Sequence, residues 1–471
     1  MRNHVAIAST LAVLAVSSPA LAGTKTVGQG KQYATPCAAI AAAQPGDVIE
    51  VDAGSYAGDT CAWSTDNLTI RGVGGRAKID ATNTAIAQQK GIFVIMAKNA
   101  TIEGFEFSHA AISQQAGNNG AGIRHQGLNL TVRNCFFHDN QNGILGGPLD
   151  NGAPADGMGE VLIEGSEFSH NGAGDGFSHN MYLNHYAKLT LRYSYSHDGN
   201  VGHLVKTRAY TNFILYNRIT DEAGTASYEI DVPNAGTTYV IGNVVEQSMT
   251  TGNPAILAYG EEGATNPDAH LFVVNNTFVN AKGSGTFVSL GNGASPASIV
   301  NNVFFGGGTV TSQTSAALVT NYAMGAPMFA NAAQYDFHPL AGSPLVDQGT
   351  APGMNGAQSL APDHEYVHPL ASIGRAIVGA KIDIGAYEFG NAGTSDAGAG
   401  DAASADGGSS DGGAIDASAP GDASSSDGGA NGATSGDSGG CGCGVSRRAD
   451  LAPGLGVLAL LMMKRMRRRR D

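Results

Sequence analysis

The chain has 471 residues and a formal net charge of −14, from 26 Lys plus Arg against 40 Asp plus Glu. Gly fills 67 positions, about twice ordinary usage, and charged residues are only 14% of the chain where about 25% is typical. Gly opposes helix formation, an acidic surface repels phosphate, and these glycines follow no triplet, so a helix-rich enzyme, a nucleic-acid binder and a collagen are all disfavoured.

In chain order, Met1–Ala22 reads as an export signal: Arg2, the mostly apolar run 5–16, and Ala20-Leu21-Ala22 as a cleavage site. Export permits disulfides, so Cys37 and Cys61 are expected to pair, with Cys135 a buried free thiol. Thr35 followed by Pro36 fits the start of a short Ala-rich helix, with Thr35 as cap. From Ile70 onward the chain repeats. Ile70, Ile102, Val132, Ile163, Leu191, Ile214, Val240, Val273 and Ile299 are equivalent points, spaced 32, 30, 31, 28, 23, 26, 33 and 26 residues apart. Each unit is an apolar strand, a Gly or Asn turn and another strand. Units this small must stack to bury their apolar sides. Asn217, Asn243, Asn276 and Asn302 share one register, which predicts a structural ladder in a turn, where Asn tolerates the left-handed conformation. His109, His138, His170 and His197 recur at strand ends and are likewise assigned to structure.

These features resemble the right-handed parallel β-helix proteins of the pectate-lyase-like superfamily. The resemblance spans 25–389. It includes the opening Thr35-Pro36-Cys37 and Pro45-Gly46-Asp47, and the closing Asp336-Phe337-His338-Pro339 and Asp383-Ile384-Gly385. It implies an all-β solenoid with a short N-terminal capping helix. This fold hosts lyases, hydrolases, epimerases and adhesins, so function must come from a site.

The densest polar column lies between Arg124 and Asp231. Arg124 with His125, the run 178–185, the run 202–208 and the run 228–233 all precede their repeat points by about nine residues, which puts four strands in one column. Eight of the 13 His fall between His109 and His203. With Val205, Ile230 and Val232 inward, alternation points Lys206, Arg208, Glu229 and Asp231 outward. Such outward ion pairs add little stability, so the cluster reads either as surface salt bridges or as a sugar-binding or catalytic face.

For elimination on a uronate polymer, Lys206 or His203 would be the base, Arg208 or Arg124 the charge neutraliser, and Tyr182 or His179 the acid. Asn180, Asn184 and His185 complete the expected sugar contacts. The run 205–217 is similar to the Lys-containing coil of alginate and chondroitin lyases of this fold, which implies Lys206 as base. Where their next coil carries Arg-His-Gly, this chain reads Glu229-Ile230-Asp231. The alternatives are an inverting glycoside hydrolase, with Glu229 and Asp231 holding carboxyls about 6.5–7 Å apart, and a non-enzymatic glycan-binding or adhesive protein. Glu229 and Asp231, joined by Asp221, are the expected ligands should calcium bind. The expected partner is an extracellular polysaccharide met by a monomer, with no nucleic acid and no membrane contact except through the C-terminal segment.

Residues 390–440 are nearly all Gly, Ala, Ser and Asp, a composition for a disordered linker. Cys441 and Cys443, a short apolar run 451–463 and an Arg-rich end follow. This order resembles the C-terminal sorting segment of myxobacterial surface proteins, which implies processing near these cysteines and anchoring at the cell surface.

Overall fold

The computed structural model describes residues 22–392 and the strand Ser395–Asp396. The expected signal before residue 22, most of the linker, Cys441, Cys443 and the apolar and basic end lie outside the described residues.

The solenoid is built from three stacks of parallel strands. A ten-stranded sheet runs from Cys61–Trp63 through Ala121–His125, Asn142–Gly146, Met181–Leu183, Val205–Thr207, Ile230–Val232 and Ala255–Tyr259 to Thr309–Thr311. The other twenty strands form two stacks joined by the long strand Thr69–Asp80, which pairs with Ala100–Glu103 through its start and with Phe105–Ser108 through its end. Each coil therefore visits a first sheet, bends, visits a second, turns into the third, and returns one level up. This is a parallel β-helix.

Its core follows the repeat. Ile102, Val132, Ile163, Leu191, Ile214, Val240, Val273 and Ile299 pair in register on the first sheet and are at most 1% exposed. Phe105, Phe107, Phe137 and Phe168 stack in the interior with ring centroids 4.8–5.6 Å apart.

At the bend between first and second sheets, the first residue takes φ of 49–68° in eight coils, at Gly104, Asn134, Gly165, Tyr193, Tyr216, Gly242, Asn275 and Asn301. The second residue forms the expected ladder. The Asn217 backbone N–H and Nδ2 donate to Asn243 Oδ1, Asn243 to Asn276, Asn276 to Asn302, and Asn302 to Asn321, all at 2.8–3.0 Å. Below Asn217 the ladder continues through Ser194, Ser166 and Cys135. The ladder asparagines are thus not the left-handed residues; the residue before each of them is. Every rung satisfies a buried backbone donor that the bend takes out of sheet pairing.

The ends are closed by different means. Helix Pro36–Ala41, capped by Thr35 Oγ1 accepting from the Ala38 N–H, covers the first coils, and Cys37 is bridged to Cys61 with Cα atoms 5.7 Å apart. Cys135 is buried and free, its thiol pushed up by burial to about 12. Residues 329–389 run back along the outside: Leu360 covers Tyr216, Tyr239 and Ile241, and Phe337 with Tyr387 covers Val244 and Val279. The outer face of the third sheet belongs to none of these apolar clusters. Among the described residues no helix is long and apolar enough to cross a membrane.

Candidate functional site

On the third sheet the outward column is Arg124, Leu145, Tyr182, Lys206, Asp231 and Ala258, each paired directly with the next. The equal offsets in sequence place Tyr182, Lys206 and Asp231 on adjacent strands. Arg124 is not next to Tyr182, because the strand Asn142–Gly146 intervenes with Leu145. Arg124 therefore lies three strand spacings, roughly 14 Å, from Lys206 along the same face.

Four charges interlock at the centre. Lys206 Nζ lies 2.8 Å from Asp231 Oδ2 and 3.5 Å from Glu262 Oε1. Arg208 donates from Nη2 to Glu262 Oε2 at 2.6 Å, from Nε to the Tyr182 hydroxyl at 2.7 Å, and from Nη1 to Asn234 Oδ1. Both cations flank the Tyr182 ring, at 5.6 and 5.8 Å from its centroid. The Asp231 side chain is 4% exposed, Lys206 10% and Glu262 52%. Lys206 thus points outward as alternation requires, yet its neighbours cover it. The expectation that it adds little stability fails, because removing it strands a buried carboxylate. Burial pushes the Asp231 carboxyl above its ordinary range against the pull of Lys206. Partial burial of Glu262 is outweighed by Arg208 and Lys206, which hold its carboxyl low.

Beside this group, His179 and His203 stack at 4.5 Å, and Tyr228 lies 5.0 Å beyond His203. The backbone N–H of His203 donates to His179 Nδ1 at 3.0 Å, and that of Tyr228 donates to His203 Nδ1 at 3.3 Å. A ring nitrogen that accepts a backbone N–H cannot carry its own proton, so both neutral rings hold theirs on Nε2. Burial, reinforced by Lys206 for both and by His179 for His203, pushes His179 down to about 3 and His203 well below its usual value. The base expected of His203 and the acid expected of His179 are therefore corrected. Each is a fixed neutral donor, and His203 Nε2 sits 3.4 Å from Asp231.

Two further expectations fail for one shared reason. Asn180, Leu204 and Glu229 stack at the corner where the chain turns into the third sheet, with Ile256 next in the stack inside the strand Ala255–Tyr259, and all four are fully buried. Strand alternation starts only after the corner, so parity does not carry back to these positions. Asn180 makes no surface contact. It caps a second interior ladder, its Oδ1 accepting from Asn171, which in turn accepts from Asn140. Glu229 points inward, its Oε1 and Oε2 without hydrogen-bond partners, and burial followed by Asp221 and Glu246 pushes its carboxyl well up. Glu229 and Asp231 thus face opposite sides of the wall. They can neither act as an inverting pair nor converge on calcium, and among the described residues no group of three or more His, Cys, Asp or Glu could hold a metal ion. Asp221 is also interior, accepting from the backbone of Gly199 and Ala226.

Asn184 and His185 lie where the third sheet returns to the first. Asn184 stacks below Arg208, and His185 Nδ1 is 3.4 Å from Asp156. Arg124 is half-buried, and among the described residues its guanidinium has no hydrogen-bond or ion-pair partner. Phe177, on the Gly-rich loop before Met181, is 85% exposed.

Glu262 and Asn234 escaped the sequence reading. Glu262 belongs to the return loop 260–270, which folds back over two coils: its N–H donates to Pro233 O, and Asn266 Nδ2 donates to the carbonyls of Arg208 and Ala235. The signal was the 33-residue step from Val240 to Val273, longer than the 26-residue steps on either side.

The fold and the outward column define a parallel β-helix protein with a polar, cation-bearing third face. No protein-family model and no curated protein matches the chain. Among solved structures it is similar to pectate lyase Pel9A, at 16% identity and a TM-score of 0.53, over 78% of this chain and 96% of that one. It also matches the PL6 family alginate lyase AlyGC at 18% identity and a TM-score of 0.35, over 65% of this chain and 39% of that one. The first likeness establishes the pectate-lyase-like β-helix fold.

Proposed function

We propose that the outward face of the third sheet binds an acidic polysaccharide and cleaves it by β-elimination. The observation that carries this reading is a line of cations, Lys206, Arg208 and the unpartnered Arg124, on one face of a chain whose net charge is −14. A neutral sugar has no use for that line; a chain of uronate carboxylates does. Arg208 would neutralise the carboxylate of the reacting sugar, which acidifies the adjacent C–H and stabilises the enolate-like charge that follows.

Of the expected bases, Lys206 remains once His203 is locked as a donor. Its proton can pass to Asp231 Oδ2 at 2.8 Å, a carboxyl whose proton affinity burial raises. Lys206 then takes the proton alpha to the carboxylate, the double bond forms, and the glycosidic C–O bond breaks. The Tyr182 hydroxyl, oriented by Arg208 Nε, gives its proton to the leaving oxygen. Hydrolysis loses its support because Glu229 lies inside the wall. A purely adhesive face would need the same cations but no proton donor beside them.

The test is to incubate the full chain with polygalacturonate, alginate and neutral glucans and follow the ultraviolet absorbance of an unsaturated uronate. Absorbance that rises with a uronate polymer and is lost in Lys206→Arg is expected. Saturable binding with no unsaturated product would assign the face to adhesion instead. Export through the segment before residue 23 and surface retention through 441–471 complete the proposal, read out by cell fractionation.

A further inference from the structure

We infer that Glu262 is a built-in stand-in for the substrate carboxylate: it occupies the Lys206–Arg208 pair in the resting protein, and a uronate enters by displacing it. This rests on the acidic-polysaccharide reading and adds to it a residue that sets selectivity for anionic over neutral ligands.

Charge balance comes first. Lys206 and Arg208 carry two positive charges and Asp231 and Glu262 two negative ones, so the group is neutral as it stands. The two carboxylates are not equivalent. Asp231 is rooted in the wall strand Ile230–Val232 and is 4% exposed, whereas Glu262 is 52% exposed and hangs from a loop. Only Glu262 can leave without opening the wall. Its departure leaves Lys206 with Asp231, but Arg208 with only the neutral partners Tyr182 and Asn234.

The contact geometry is that of a carboxylate clamp. One Glu262 oxygen takes Arg208 Nη2 at 2.6 Å and the other faces Lys206 Nζ at 3.5 Å. An incoming carboxylate can make the same two contacts and restore neutrality, which a neutral sugar cannot. The loop is held near its base rather than at this side chain: Glu262 N–H to Pro233 O, Asn266 N–H to Asn234 O, and Asn266 Nδ2 to Arg208 O and Ala235 O. The Glu262 side chain can therefore swing out while the loop stays seated. Surface ion pairs are individually weak, so a ligand carboxylate aided by sugar contacts can win the exchange.

The experiment compares the full chain with Glu262→Gln and Glu262→Asp by melting temperature during titration with D-glucuronate, with methyl glucoside as neutral control; a ligand that binds only the folded form raises that temperature. Glu262→Gln should reach half its maximal shift at about one-tenth of the wild-type glucuronate concentration, a gain of about 1.4 kcal/mol. Glu262→Asp should stay near wild type, and methyl glucoside should shift none of them. Equal or weaker glucuronate response in Glu262→Gln overturns the inference, as does an equal gain for methyl glucoside. The wild-type melting temperature without ligand serves as the folding control for both variants. Tightened glucuronate binding in Glu262→Gln with no unsaturated product from any uronate polymer would uphold the displacement and overturn the lyase reading. Unsaturated product with no change on Glu262→Gln would do the reverse.

Discussion

Replacing Glu229 by Gln is expected to stabilise the solenoid, and by more as pH rises. Glu229 is fully buried between Leu204 and Ile256, and its oxygens have no hydrogen-bond partners. Burial, then Asp221 and Glu246, raise its carboxyl well above the ordinary value. The folded chain therefore keeps this proton, while the unfolded chain releases it above about pH 4.3. Between those two values the folded state binds one proton more, so stability falls as pH rises, by about 1.4 kcal/mol per unit. The amide of the Glu229→Gln variant does not titrate and escapes this loss, while Asp221 and Glu246, both raised by burial to about 7, are present in both proteins and largely cancel. Urea unfolding followed by circular dichroism at several pH values reads the difference. Curves of stability against pH that run parallel for the two proteins would refute the buried, protonated assignment.

Lys206→Ala should lower stability by about 3–5 kcal/mol, because it leaves Asp231 buried and unpaired; a double change with Asp231→Asn should recover most of that loss in the same unfolding assay. His179 and His203 should show nitrogen shifts of the Nε2–H tautomer with no titration from about pH 5 to about pH 8, since both Nδ1 atoms accept backbone N–H groups. A titrating ring in that range would restore the proton-transfer role denied to it.

The core and the ladder were legible in the sequence because both are periodic. Ile102 to Ile299 and Asn217 to Asn302 repeat once per coil, and a solenoid turns that one-dimensional repeat directly into stacking. The outward column of Tyr182, Lys206 and Asp231 was legible for the same reason, since alternation holds within a strand. Alternation could not be carried through the corner before that strand. Asn180 and Glu229 therefore turn inward, and the hydrolytic pair and the calcium site dissolve with them. Nor could local pattern show which backbone amides would meet the rings of His179 and His203, because those donors come from the next coil up.

Glu262 is the clearest case of what tertiary structure decided. In sequence it is one acidic residue in a polar loop, 54 positions beyond Arg208. Only the extra length of that coil hinted at anything unusual. The loop acquires its meaning when coil stacking puts it above the strand Val205–Thr207 and lets it fold back, because a helix of sheets makes neighbours of residues separated by whole turns. Sequence alone determined the repeat, the core and the wall. The stacking of non-adjacent coils decided which charges meet on the third face.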